Sequence, residues 1–314
     1  MGYHPRFEVA DQGNLVTTNT KHAELWFANN PKLERALLAR TAKYSTRYDV
    51  RLYALSPEGN HAHLVAEFPG CNRADFMRDL NSTVAREASR CTATFTGGNL
   101  WARRYSNEFL PAPEDIEDKF FYTVLQPVQD GLVEQLSKYP FYNCFSDAVR
   151  GITRTFKIVR WAEYNAARKR NRKTAIADYT DIVHLKYQRL PGYEHLSQRE
   201  YSKLMHQKLE ERRRKIVAAR KAEGKGFLGV QKLLRIVTGS KPQNTKQTGA
   251  RLQKRPRVLS VCSIRKQNGL SWYFSRFVQY KSASRQYRAG NLEAEFPEGT
   301  YKPYVSARAG APPG

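Results

Sequence analysis

The segment Asn60-His61-Ala62-His63-Leu64-Val65-Ala66-Glu67-Phe68 interleaves two histidines with apolar residues. Strand side chains alternate faces with a period of two, so His61 and His63 share one face and Ala62 and Leu64 the other. Immediately upstream, Val50, Leu52 and Ala54 alternate with Arg51 and Tyr53, which reads as a second strand. Between the two runs, Ser56-Pro57-Glu58-Gly59-Asn60 has turn chemistry. The pair is therefore expected to form an antiparallel hairpin with both imidazoles on one side. Two imidazoles so placed can share a divalent cation. A lone His-x-His is equally compatible with incidental use, so the reading depends on its companions.

The rest of the first half supplies them. Asn14 to Thr20 is short and β-branched, and reads as a first strand. Pro31 opens a helix with Leu33, Leu37, Leu38 and Ala42 at helical spacing. Asn72 caps another through Phe76, Leu80, Val84 and Ala88. Residues 100–110 hold a further strand or extended segment. Pro113-Glu114-Asp115 starts a helix with acids in its first turn, where they favour the helix dipole, and Pro127 ends or kinks it. The order is strand, helix, strand, strand, helix, strand, helix. It predicts an α+β, ferredoxin-like antiparallel sheet with helices on one face.

Charge divides the chain. Residues 1–150 carry 17 Lys+Arg and 18 Asp+Glu, whereas residues 151–314 carry 36 and 11. A near-neutral first half suits a packed catalytic domain, and the basic remainder suits a nucleic-acid grip. A basic solubilising tail is the rival. It is disfavoured because Trp161, Trp272 and many tyrosines and phenylalanines interrupt the basic runs. The division predicted is 1–150 and 151–314, the latter largely helical. Residues 161–177 and 196–222 read as basic helices, and 227–234 as a small helical unit. Residues 240–257 read as a loop or an arm ordered on binding, and the last ten residues as a frayed end. Residues 258–264 and 272–280 read as strands or helix turns.

Four scattered cysteines, Cys71, Cys91, Cys144 and Cys262, make no zinc-knuckle or redox spacing and fit a reducing compartment. No signal peptide and no apolar run of about 18 residues is evident, so a cytoplasmic, nucleoid-associated protein with no membrane partner is expected.

Tyr122 and Gln126 lie four residues apart and share a helix face. Gln126 can offer a carbonyl oxygen beside the two imidazoles. A neutral set of His61, His63 and Gln126 suits Mg²⁺ or Mn²⁺, with Glu58 and Glu67 as rival ligands. Glu67 follows His63 by four and so belongs to the histidine face. A phenol, with a reference pKa of about 10, needs a nearby cation to act as a nucleophile. The alternative is that Tyr122 is a core residue of a Phe-Phe-Tyr run. Arg212, Arg213, Arg214 and Lys215 are phosphate-contact candidates, with a solvated helix face as their rival. Trp272, Tyr273, Phe274, Phe277 and Tyr280 are candidates for base stacking or for core.

At these residues the chain resembles the HUH single-tyrosine transposases, most closely the REP-associated tyrosine transposases. Asn60-His61-Ala62-His63-Leu64 matches their Asn-His-hydrophobic-His-Leu segment. Tyr122 to Val133 resembles their Tyr-Ile-x-x-Asn-Pro-Val-x-x-Gly-Leu-Val segment, with Thr123 for Ile and Gln126 for Asn. Gln at that place is similar to the insertion-sequence branch, where it is a metal ligand. Trp101-Ala102-Arg103-Arg104-Tyr105 resembles the Trp-x-x-Arg-Tyr stretch, which brings in Arg103 and Arg104 as DNA contacts. The first strand, Leu15-Val16-Thr17-Thr18-Asn19, lacks the family's arginine. The resemblance covers roughly residues 6–145. It implies the HUH endonuclease fold and nicking and rejoining of single-stranded DNA beside hairpin repeats. Tyr122 would form a 5′-phosphotyrosine link at a divalent metal, without ATP. The implied partners are single-stranded or hairpin DNA and, as family members often work as dimers, a second copy. The rival functions are a HUH replication initiator or relaxase, and a domesticated DNA- or RNA-binding protein that no longer cleaves.

Overall fold

The computed structural model describes residues 5, 7–10, 12–242 and 257–304. The expected arm at 240–257 and the last ten residues therefore lie almost wholly outside the described residues. The elements of the first half are β1 (Gly13–Asn19), α1 (Pro31–Arg47), β2 (Arg51–Glu58), β3 (His61–Glu67), α2 (Arg73–Cys91), β4 (Ser106–Leu110), α3 (Pro113–Val124), α4 (Gln126–Gln129) and α5 (Phe145–Arg150). Those of the second are β5 (Arg154–Val159), α6 (Trp161–Arg170), β6 (Thr180–Leu185), α7 (Gln198–Ala222), α8 (Val230–Leu233) and α9 (Ser263–Arg288).

The first four strands form one antiparallel sheet in the order β2-β3-β1-β4. With α1 after β1 and α2 after β3, this is the split β-α-β motif doubled. Local chemistry explains the elements. The Asn30 side chain accepts from the Leu33 backbone N–H and Pro31 follows it, so α1 starts on a cap worth about 1 kcal/mol. Leu33, Leu37, Leu38 and Ala42 are buried along one stripe of it.

The sheet is covered on both faces, which corrects the expectation of helices on one. On one face, Asn81 of α2 donates to Thr18, and Arg73 of α2 donates to the Asn14 side chain. On the other, a side chain at Gly13 would collide with Ile116 of α3, and Thr17 borders the same cleft as Tyr122 of α3. The physical reason lies in the strands. Leu15 and Val65 pair across β1 and β3 on the α3 face, while Val16 and Leu64 pair on the opposite one. Both pairs are buried, so each face requires a layer.

The structure also sets three element boundaries. β2 runs through Ser56, Pro57 and Glu58, so only Gly59 and Asn60 make the turn, and Glu58 stands opposite His61. Within 100–110, the strand is confined to Ser106–Leu110. Residues 263–288 form one long helix, which selects the helical alternative for 272–280.

The second half, for which composition predicts mostly helix, holds a β5–β6 hairpin. Phe156 and Ile158 alternate with Lys157 and Val159, and both are buried against α1, with Arg35 stacked over Phe156. Leu185, Tyr201, Met205 and Val217 join the same apolar core as Leu15 and Phe120. Helix α7 starts at a capping box, Ser197 with Glu200. The chain at 257–259 runs along the edge of β4. Phe109 donates to the Arg257 carbonyl and accepts from the Leu259 N–H, which occupies backbone groups that an edge strand otherwise exposes. Among the described residues, no helix is long and apolar enough to cross a membrane.

Candidate active site and metal centre

The β3 register puts His63 opposite Thr17 of β1, and the Thr17 hydroxyl lies 2.9 Å from His63 Nδ1. His61 Nδ1 lies 2.8 Å from Asn60 Oδ1, while the other end of that amide donates to the Ala23 carbonyl. The amide oxygen therefore accepts from the imidazole. An N–H at Nδ1 leaves the lone pair on Nε2, the form in which histidine binds a metal. The two rings are 4.8 Å apart, centroid to centroid.

Helix α3 brings Tyr122 to this pair, its ring 5.5 Å from that of His63 at 70°. Leu125 breaks the helix, and α4 restarts at Gln126 with Pro127 in its first turn. The kink expected at Pro127 is thus present. Gln126 is buried, and its amide nitrogen lies 3.4 Å from His63 Nε2, on the lone pair a cation would use. Turning the amide over presents its oxygen there instead. Lys119, one turn before Tyr122, lies 5.4 Å from the centre of that ring. His61, His63, Lys119, Tyr122 and Gln126 border an open cleft of about 540 Å³, which Thr17, Asn19, Asp130 and Leu259 help to line.

A second constellation adjoins the histidines. Ligand atoms of Glu58, His61 and Asp130 all lie within 4.8 Å of one another, close enough to chelate a metal ion. Glu58 is 3% exposed and its Oε1 has no hydrogen-bond partner. Burial, and then the charge of Asp130, push its carboxyl well above the usual carboxylate range. A buried acid facing a second acid and an imidazole fits a cation, which would compensate the charge that burial penalises. Carboxylates thus adjoin the neutral set expected of His61, His63 and Gln126.

The remaining candidates fall in four places. Glu67 lies toward the far end of β3, bonded to the Tyr53 hydroxyl at 2.9 Å and paired with Arg51. Arg103 and Arg104 are exposed in the turn just after Ala102, whose N–H donates to the carbonyl of Asn19 at the cleft. Arg212 is turned to the protein: it pairs with Glu117 and Asp118 and stacks on Phe121 at 4.4 Å. Arg213 and Arg214 both pair with Glu210, and Lys215 with Glu211. In α9, Tyr273 is buried against Phe7 and Trp272 packs on Phe7 and Phe109, while Phe274 is exposed.

The cleft also holds Asp130, Lys119 and Thr17, which sequence reasoning misses. Two have a signal in the sequence: Asp130 follows Gln126 by four residues and Lys119 precedes Tyr122 by three, both helical spacings. Thr17 is legible only through strand register, which no local pattern gives.

No protein-family model matches the chain, and no curated protein matches it. Among solved structures, it is similar to a REP-associated tyrosine transposase bound to a REP hairpin. That match has 17% identity and a TM-score of 0.39, and covers 46% of this chain and 84% of the other. It is also similar to a candidate transposase from Deinococcus radiodurans, at 17% identity and a TM-score of 0.29, covering 39% of this chain and 94% of that one. Both likenesses are remote and partial.

Proposed function

We propose that the chain is a metal-dependent single-stranded DNA transesterase of the HUH single-tyrosine type. On this reading it nicks and rejoins DNA beside hairpin repeats, as a REP-associated transposase would. The observation that carries the proposal is the meeting of Tyr122 and the two imidazoles in one open cleft, with the buried Glu58 carboxylate adjoining His61.

His61 and His63, with Gln126, Glu58 and Asp130 as oxygen donors, would hold Mg²⁺ or Mn²⁺. A bound divalent cation supplies charge stabilisation at the scissile phosphate and eases loss of the phenol proton. Tyr122 Oη attacks phosphorus as its proton leaves. The new O–P bond forms while the bond to the 3′ oxygen breaks, and that oxygen takes up a proton. The product is a 5′-phosphotyrosine and a free 3′-hydroxyl. Attack of a 3′-hydroxyl on the same phosphorus reverses the exchange, so one phosphodiester is traded for another and no ATP is required. Lys119 places a positive charge beside the attacking ring, where it favours the developing phenolate.

In this division of labour residues 1–150 carry the chemistry and residues 151–314 much of the affinity for DNA. Arg103 and Arg104, in the turn beside the cleft, are proposed as contacts to the strand near the scissile bond. The decisive experiment incubates the full chain with single-stranded hairpin oligonucleotides and Mn²⁺, then resolves products on a denaturing gel. A protein–DNA adduct that chelator abolishes supports the reading. Absence of any adduct over a panel of hairpins taken from the flanking genome would sink it.

A further inference from the structure

Among the described residues, a dense run of basic side chains that face no carboxylate lies at the end of α6 and in the turn after it, whereas the Arg212 to Lys215 cluster of α7 is paired throughout. We propose that the arm formed by β5, α6 and β6 is a nucleic-acid contact surface, reading phosphates with residues 168–173 and stacking an unpaired base on Trp161. The proposal rests on the DNA-processing reading of the Tyr122 site.

Three observations carry it. First, Arg168, Lys169, Arg170, Arg172 and Lys173 are all exposed, and none faces a carboxylate at ion-pair distance among the described residues. In the α7 cluster the opposite holds, since every member is engaged by Glu117, Asp118, Glu210 or Glu211. A phosphate that binds α7 must displace a carboxylate first. One that binds the arm displaces only condensed counterions, the favourable exchange in nucleic-acid binding.

Second, α6 has no buried residue at all. Its ring contact runs from Tyr164 to Tyr179 within the arm itself, so the core does not explain the helix. The helix dipole accounts for cations at Arg168 to Arg170 in its last turn, but Arg172 and Lys173 lie beyond that helix end.

Third, the arm carries aromatic rings beside the charge. Trp161 is 43% exposed, Tyr164 lies 6.0 Å from it, and Tyr179 lies 6.0 Å from Tyr164. Exposed aromatic faces interleaved with arginine are the usual platform for unpaired bases. The buried face of the hairpin, Phe156 and Ile158, is anchored on α1, and Lys43 of α1 pairs with Asp181 at the root of the arm. Since α1 covers the sheet face opposite Tyr122, the arm contacts DNA away from the scissile phosphate.

The test measures binding of a fluorescent DNA hairpin with an unpaired tail to the full chain, in chelator, over a range of salt. Glutamine at 168, 169, 170, 172 and 173 together should weaken binding roughly tenfold or more near 0.1 M salt. It should also flatten the log–log salt slope by about 0.7 for each single-strand phosphate left unneutralised, up to ~3.5. The double variant Arg172→Gln/Lys173→Gln, past the helix end, should give the same effect in part without touching α6. Trp161→Ala should weaken the tailed hairpin more than a blunt one. Arg214→Gln/Lys215→Gln should change the slope less than the arm variants do. Unchanged affinity and slope in both arm variants would overturn the proposal. So would polyglutamate competing as well as DNA of equal charge, which would assign the arm to an acidic protein. Because no cleavage is scored, a Tyr122→Phe variant that still forms adducts would defeat the active-site reading without touching this result.

Discussion

Tyr122 stands edge-on to His63, with ring centroids 5.5 Å apart. The two belong to different layers, α3 and the sheet, and meet only because Leu15, Thr17 and His63 face α3 across the β1–β3 ladder. Tyr122→Phe keeps the ring and its packing and removes only the oxygen. The expected outcome is loss of the covalent DNA adduct to the level of a chelator control, with hairpin binding unchanged. An undiminished adduct on a denaturing gel would remove Tyr122 from the reaction.

Thr17 and Asn60 bond to the Nδ1 atoms of His63 and His61, which leaves Nε2 of each ring for a metal. Outer-shell partners of this kind typically change metal affinity by about 10- to 100-fold when removed. Thr17→Val and Asn60→Ala should therefore weaken Mn²⁺ binding by that order in calorimetry, while thermal unfolding in chelator moves little. Glu58→Gln tests the carboxylate directly. It should weaken the metal further and stabilise the metal-free fold, because a buried acid without a hydrogen bond on Oε1 is replaced by a neutral group.

Much of this site is legible in the sequence. The period-two run at 60–68, the proline that opens α1 and the Tyr122–Gln126 spacing are local patterns, and local patterns survive folding. What stays hidden depends on pairing at a distance. Composition alone makes the turn five residues long, which conceals the pairing of Glu58 with His61. The second covering layer is implied by the unbroken apolar run Leu64-Val65-Ala66, the mark of a strand buried on both faces. The β5–β6 hairpin carries its own alternation, Phe156 and Ile158 between Thr155, Lys157 and Val159, but its basic surroundings favour a helical reading.

Arg73 is buried in α2, donating to Asn14 and to the Phe7 carbonyl and lying 3.6 Å from Glu8. Removing one partner of a buried ion pair costs about 3–5 kcal/mol. Arg73→Leu should lower stability by that amount in urea unfolding and free the segment around Phe7 from the sheet. A loss under about 1 kcal/mol would show that water reaches Glu8 in the folded protein, since surface pairs contribute only that much.

Arg212 separates two roles for α7. If it braces α3 through Glu117, Asp118 and Phe121, Arg212→Ala should slow adduct formation more than it weakens DNA binding. A phosphate contact would show the reverse, with a reduced salt slope and an unchanged rate at saturating DNA. The brace is the expected outcome, and Arg212→Lys should restore only part of the rate, since lysine cannot bridge two acids and stack on a ring at once.

Glu210 reports whether DNA reaches the rest of that cluster. Its hydrogen bond to Arg213, with help from Arg214, lowers its carboxyl to about 2. A depressed acid of this kind contributes stability above its unfolded value of about 4.3, and that contribution is lost as pH falls toward 2. The group is half-exposed, so salt should screen the effect and move the midpoint back up. Carboxyl NMR on the free chain should find this low midpoint. If phosphates took Arg213 and Arg214, Glu210 would lose both partners and titrate near its unfolded value in the complex. The unpaired arm at 168–173 offers phosphates a cheaper site, so the midpoint should stay near 2 when a hairpin is added in chelator. A rise toward 4 on adding DNA would return α7 to the interface.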